Sequence, residues 1–194
     1  HMKVLSAYYP GLDQVRRDVT ASYEQLFERE SLAFHLSYAA TVELLFGPLA
    51  SFFITYRDPL FKGGDPTIAS FMLWHLAEEF EHRNSAIGVY NDVVGSHAYR
   101  LKTLASVTKH LAEIADIVRD GFDHHVPAGS FVVPPGDVTK MFKNIPLWEQ
   151  MKLAGNLFCT LLPYHKPDNI TQPEWATQWF ADEEAGKDMT LYYS

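Results

Sequence analysis

Trp74-His75-Leu76-Ala77-Glu78-Glu79-Phe80-Glu81-His82 is the stretch whose reading decides the fold. From His75 to His82 it holds three carboxylates and two imidazoles, and its flanks read as helix from Pro66 to about Asn91. At 3.6 residues per turn, Glu79 and His82 stand about one turn apart on one face, and His75/Glu79 and Glu78/His82 are i, i+4 neighbours. A Glu-x-x-His pair lets a helix offer a carboxylate and an imidazole to one metal ion.

The plain alternative is a solvated charged face, since Arg83 follows at once. Two features weigh against it. Glu78, Glu79 and Glu81 repel one another, so their crowding is unfavourable without a cation. The flanking Phe71, Trp74 and Phe80 suggest that part of the helix is buried.

A chain of 194 residues is long enough for one sizeable core or two small ones. Its net charge of −8 argues against a nucleic-acid partner held by phosphate contacts. The lone cysteine, Cys159, lies in the apolar run Leu157–Leu162 and reads as a small buried hydrophobe. One thiol excludes an intrachain disulfide framework and fits a reducing, cytoplasmic compartment. No signal peptide is read. His1-Met2 reads as a remnant of tag cleavage, leaving 3–194 as one helical domain.

Pro10-Gly11 reads as a turn, with Asp13 as a cap for an amphipathic helix over Val15–Arg29. Ser31–Tyr56 is the most apolar stretch, and its length raises a membrane span. Glu43 in its middle, the nearby Ser37, Thr41 and Ser51, and an interruption at Gly47-Pro48 favour a core helix instead. A lone carboxylate there is costly unless paired or bound to metal, so Glu43 is a second ligand candidate. The alternative is a carboxyl satisfied by a Tyr or Arg from a neighbouring helix.

Asp65-Pro66 is a strong helix start, with aspartate as N-cap and proline at N1. Val94-Gly95-Ser96 ends that helix, and another spans roughly His97–Arg119, its face set by Leu104, Val107, Leu111, Ile114 and Val118. His110 and Glu113 on it read as mixed-charge surface beside Lys109 and Asp116. His124-His125 falls in an expected loop, Gly121–Gly136. A helix is expected at Pro146–Leu162, and short ones at Asp137–Lys143 and Glu174–Ala185. Nothing reads as a strand, so the class is all-α. Phosphate loops, a Gly-x-Ser-x-Gly elbow, His-Glu-x-x-His and paired cysteines are missing from the sequence. Oxygen and nitrogen ligands alone remain, which suits iron or manganese, with zinc as a further option.

Trp74-His75-x-x-Glu78-Glu79-x-Glu81-His82, followed by Ala86-Ile87-Gly88-Val89-Tyr90, resembles the family of predicted metal-dependent hydrolases, grouped with ferritin-like helical proteins. The preceding helix with a central Glu43 and the Leu162-Pro163-Tyr164 to Trp175 segment are similar as well. The resemblance implies a ferritin-like bundle. Its metal ligands would be Glu43, Glu79, His82 and Glu78, with His75 and Glu81 orienting them. The family's earlier half, with a Gln-Glu-x-x-His helix, is not visible in this sequence. One Glu-x-x-His is half of a two-metal site. Three explanations stand side by side: a truncated homologue, two chains completing the site by symmetry, or a single ion with open positions.

The reading is a metal-binding all-α protein, iron first, acting on an apolar small molecule through metal-activated water or dioxygen. Phe34, Phe46, Phe53 and Phe71 are the expected lining of its pocket, although a plain packed core is the commoner role for such rings. The alternatives are a non-catalytic helical protein binding an apolar ligand, and a degenerate family member with an incomplete site.

Overall fold

A computed structural model describes residues 2–127 and 142–193, with residues 2–4 as backbone alone. Among the described residues the chain is helical and no strand occurs. In order these are α1 (Met2–Tyr8), α2 (Leu12–Arg29), α3 (Leu32–Thr55), α4 (Arg57–Phe61), α5 (Pro66–His82), α6 (Ser85–Val93), α7 (His97–His125), α8 (Leu147–Cys159) and α9 (Glu174–Glu184). A 3₁₀ turn at Pro167–Asn169 lies between the last two.

The apolar helix α3 is the axis of the fold, packing against α5, α6, α7 and α8, while α2 lies on α7 and α1. Ser31 starts it by accepting a hydrogen bond from the Phe34 N–H. By length and composition α3 could cross a bilayer, and half of its most apolar window is buried within the fold. Contrary to the expected interruption, it runs unbroken through Gly47-Pro48, both buried. Proline inside a helix costs about 3 kcal/mol locally, so tertiary packing outweighs it here. Gly47 contributes by having no side chain: a Cβ there would meet Ile170 Cδ1 at 3.2 Å and Arg83 Cβ at 3.6 Å.

Among the described residues three buried clusters hold the helices together. The largest joins Ala50 and Ile54 of α3, Leu73, Leu76, Ala77 and Phe80 of α5, and Ala176 and Trp179 of α9. A second joins Leu26, Phe34 and Val107; a third joins Leu12, Val15 and Val126.

Several local expectations change. The helix expected from Pro66 to Asn91 breaks at Arg83-Asn84 into α5 and α6. Gly11, not Asp13, occupies the N-cap of α2, and Asp13 instead pairs with Arg16 at 2.9 Å and with Arg17. Helix α7 passes through Gly121 and ends at His125, so His124-His125 forms its last turn rather than a loop. Gly121 is there for close approach, since a Cβ would fall 2.2 Å from Val15 Cγ2. Cys159 is exposed rather than buried: no residue of α8 is buried, and its neighbour Phe158 is exposed as well. The helix expected at Asp137–Lys143 lies largely outside the described residues.

Candidate metal centre

Helix α5 begins as its sequence demands. The Asp65 carboxylate accepts from the N–H groups of Thr67 at 2.8 Å and Ile68 at 3.1 Å, with Pro66 in the first turn. Ala69, Leu73, Leu76, Ala77 and Phe80 then face the core. At 100° per residue, His75, Glu78, Glu79 and His82 fall on the opposite side. The Glu-x-x-His motif therefore points away from this chain's own interior. Glu78 and Glu79 are half-buried, and Glu81 and His82 are exposed. His75 Nε2 lies 3.6 Å from Glu79 Oε1.

The end of α5 is electrostatically awkward. Three carboxylates crowd its last turns, where the helix dipole is already negative. Arg83 offsets this from the C-cap position. Its guanidinium donates to the Phe80 carbonyl at 2.7 Å, stands 4.2 Å over the Phe80 ring and lies 3.8 Å from Asp168. Asn84 Nδ2 donates to the same Asp168 carboxylate. Together these contacts tie the α5–α6 corner to the 3₁₀ turn.

Glu43 reaches the other side of this corner. Its Oε2 accepts the Ala86 N–H at 2.7 Å, in the first turn of α6, where Asn84 makes no side-chain cap. The half-buried carboxyl of α3 is thus held by a backbone N–H at a helix N-terminus, a favourable place for negative charge, rather than by a Tyr or Arg.

The structure therefore brings His75 to Glu79 and delivers Glu43 to the segment just after His82. It does not close Glu43, Glu78, Glu79 and His82 around one point. Among the described residues no group of three or more His, Cys, Asp or Glu could hold a metal ion. The residues from 128 to 141 add one carboxylate, Asp137, and no imidazole. The donor types suit a hard or borderline cation, but the described residues of one chain do not fit one.

The four phenylalanines expected to line a pocket are spread apart. Phe34 packs with Leu26 and Val107, Phe53 lies against Phe142 with ring centroids 6.4 Å apart, and Phe46 and Phe71 are exposed. Phe34 and Phe53 are separated by roughly 28 Å of rise along one helix, which explains the dispersal. A groove of about 610 Å³ between α2 and α3 is lined instead by Tyr23, Leu26, Phe27, His35 and Tyr38, among others.

Two polar constellations were not read from the sequence. His110 is buried, with Nδ1 3.0 Å from the Tyr38 hydroxyl and Nε2 3.1 Å from Ser22 Oγ, which corrects its reading as surface. Glu113, by contrast, does pair on the surface with Lys109 at 3.6 Å. The other constellation is at Arg100, buried and donating to the Thr160 carbonyl at 3.1 Å, with His97 Nδ1 3.3 Å away. Burial, and then the Arg100 charge, push both His97 and His165 below the ordinary imidazole value. Lys109, Glu113 and Asp116 masked the inward position of His110. The one available signal was helical phase: His110 stands three residues after Val107 and seven after Thr103, both buried.

The chain belongs to the family of predicted metal-dependent hydrolases, whose model matches residues 1–168. No curated protein and no solved structure matches it.

Proposed function

We propose that the protein is a metal-dependent hydrolase of a small molecule, with its metal donors at the α5–α6 corner. Glu79 and His82 are the primary ligands, Glu43 and Glu78 the further carboxylates, and His75 and Glu81 the groups that orient them. The observation that carries the reading is the delivery of Glu43, from a separate helix, to the segment immediately following Glu79-x-x-His82. Two elements with the same donor chemistry thus meet at one corner of the fold. Carboxylate and imidazole donors favour iron or manganese, with zinc as the competitor. The proposed setting is the cytoplasm.

Elemental analysis after anaerobic loading with Fe(II), Mn(II) or Zn(II) tests the site. The wild type should retain metal through gel filtration. Glu79→Gln and His82→Ala should each lower the retained metal at least tenfold while the helical circular dichroism is unchanged. Equal metal content in both variants and the wild type would remove the assignment. Hydrolysis is tested on the loaded protein with a panel of carboxylic and phosphoric esters.

The α2–α3 groove favours a second reading, a non-catalytic protein that binds an apolar ligand. Native mass spectrometry of the freshly purified protein separates the two. A co-purified organic ligand without metal supports the second; metal without such a ligand supports the first.

A further inference from the structure

We propose that the cleft between α3, α8 and the 3₁₀ turn binds the oxyanion group, a carboxylate or a phosphate, of a small molecule. The site uses none of the donors assigned to the α5–α6 corner, so it stands or falls independently of the metal reading.

The need for an anion begins at Arg100. This side chain of α7 is only 5% exposed, and a permanently charged guanidinium that deep is normally matched by a carboxylate. Among the described residues no Asp or Glu pairs with it; its side chain meets the Thr160 carbonyl at 3.1 Å and His97 Nδ1 at 3.3 Å. The charge reaches the cleft through two neighbours. Thr160, whose carbonyl Arg100 holds, follows directly on Cys159, which lines the cleft. His165 lines it as well, and the Arg100 charge acts on its imidazole. His165 Nε2 is buried and has no hydrogen-bond partner. A buried polar atom left without a partner is costly and uncommon, and a bound acceptor would remove the cost.

The lining suits an oxyanion. The cleft holds about 480 Å³, the size of a small-molecule site, and none of its lining residues is Asp or Glu. That is notable in a chain of net charge −8. Lys152 stands at the rim with its side chain 61% exposed, 3.9 Å from Glu149, a separation too long for a hydrogen bond. Glu149 itself lines the adjoining cleft with Tyr56. Asn156, Asn169 and Thr171 offer neutral donors. With one cation buried behind its wall and another at its rim, the cleft concentrates positive potential. An oxyanion accepting from His165 Nε2–H and from Lys152 gives the orphaned imidazole a partner and sets a negative charge near Arg100.

Thermal unfolding of the full chain at pH 7 tests this, with inorganic phosphate, succinate and citrate each compared with sodium chloride at equal ionic strength. Cys159, the chain's single thiol, lines the cleft and reports its occupancy by the rate of reaction with a thiol reagent. The expected result is a thermal midpoint that rises and saturates with at least one of the three anions. The thiol reaction should slow at least threefold at the same concentrations. A response to phosphate alone identifies a phosphate ligand, and a response to succinate or citrate alone a carboxylate. Lys152→Glu and His165→Leu should each raise the half-saturating concentration at least fivefold. Lys109→Gln, on the exposed side of α7, should leave it unchanged. No rise beyond that in chloride overturns the proposal. So does a rise that both cleft variants retain in full, or one that leaves the thiol rate unchanged. None of these outcomes alters the test of metal retention by Glu79 and His82.

Discussion

Glu43, half-buried, and His110, buried, show how a polar group inside the bundle is satisfied, and each makes a measurable prediction. Glu43 accepts the Ala86 N–H at 2.7 Å, a bond that a neutral amide oxygen can also accept. Glu43→Gln should therefore keep stability within about 0.5 kcal/mol of wild type, whereas Glu43→Ala should lose about 1 kcal/mol, the usual value of a helix cap. If Glu43 is also a metal ligand, the Gln variant separates the roles, keeping stability in urea titrations while lowering retained metal. His110 is held at both ring nitrogens, by Tyr38 and Ser22. His110→Ala strips two hydroxyls of their partner and leaves a cavity between α2, α3 and α7, at a cost of about 2–4 kcal/mol. Glu113→Ala on the same helix should change stability by less than about 0.5 kcal/mol in the same titration.

His165 adds a pH dependence. Burial and the Arg100 charge hold its folded-state value below the unfolded value of 6.5. The unfolded chain therefore binds the proton more readily, and stability falls as pH drops below about 6.5. His165→Gln should flatten that part of the stability–pH curve, and an unchanged curve would show that another group is responsible. Glu43 was legible in the sequence because one carboxylate interrupts an apolar run. The inward turn of His110 was obscured because charged neighbours on the next faces of the same helix dominate the local composition.

At the scale of elements, the helices themselves were legible, because capping residues and apolar periodicity act locally. Asp65-Pro66 begins α5 as expected, and α3 occupies the apolar run. Their ends were less so, because tertiary contacts decide them. Pro48 does not break α3, since the helix is packed on several neighbours, while Arg83-Asn84, which carries no proline or glycine, does break α5 from α6. The break coincides with contacts from outside the helix: Asp168 holds both side chains at the corner, and Glu43 starts the next helix. The candidate site follows the same division. Its candidate donors stand out by residue type and spacing, but the direction in which they face depends on which side of α5 the core occupies. Gly121 tests the packing argument. On propensity alone, Gly121→Ala should stabilise α7 by up to about 1 kcal/mol. The Cβ would instead strike Val15 at 2.2 Å, so the variant should be destabilised by about 1–3 kcal/mol, and its thermal midpoint should fall. A Gly121→Ala, Val15→Ala double variant relieves the clash and should recover part of that loss, which a purely local effect on the helix would not allow.

At the scale of the whole molecule, the largest core depends on a segment beyond the family match. The matched residues end at 168, yet Ala176 and Trp179 of α9 are fully buried against Ile54, Leu73, Leu76 and Phe80. The chain that follows α9 returns to α5 and α4: the Tyr193 N–H donates to Ser70 Oγ at 2.9 Å, and its hydroxyl donates to Asp58 at 3.1 Å. The core face of α5 thus packs into one cluster with α3 and α9, while His82 stays exposed. Trp179→Ala should cost about 3–5 kcal/mol, a large share of a domain's stability. Removing residues 171–194 should expose the Leu73–Phe80 stripe as well. The shortened chain should then bind a hydrophobic dye and lose its near-ultraviolet circular dichroism while keeping much of its helix signal. Had α9 been an accessory to a core completed by the matched residues alone, the shortened chain would unfold cooperatively at a midpoint close to that of the full chain. Loss of the sharp transition would place the C-terminal segment within the fold that positions the candidate donors of α5.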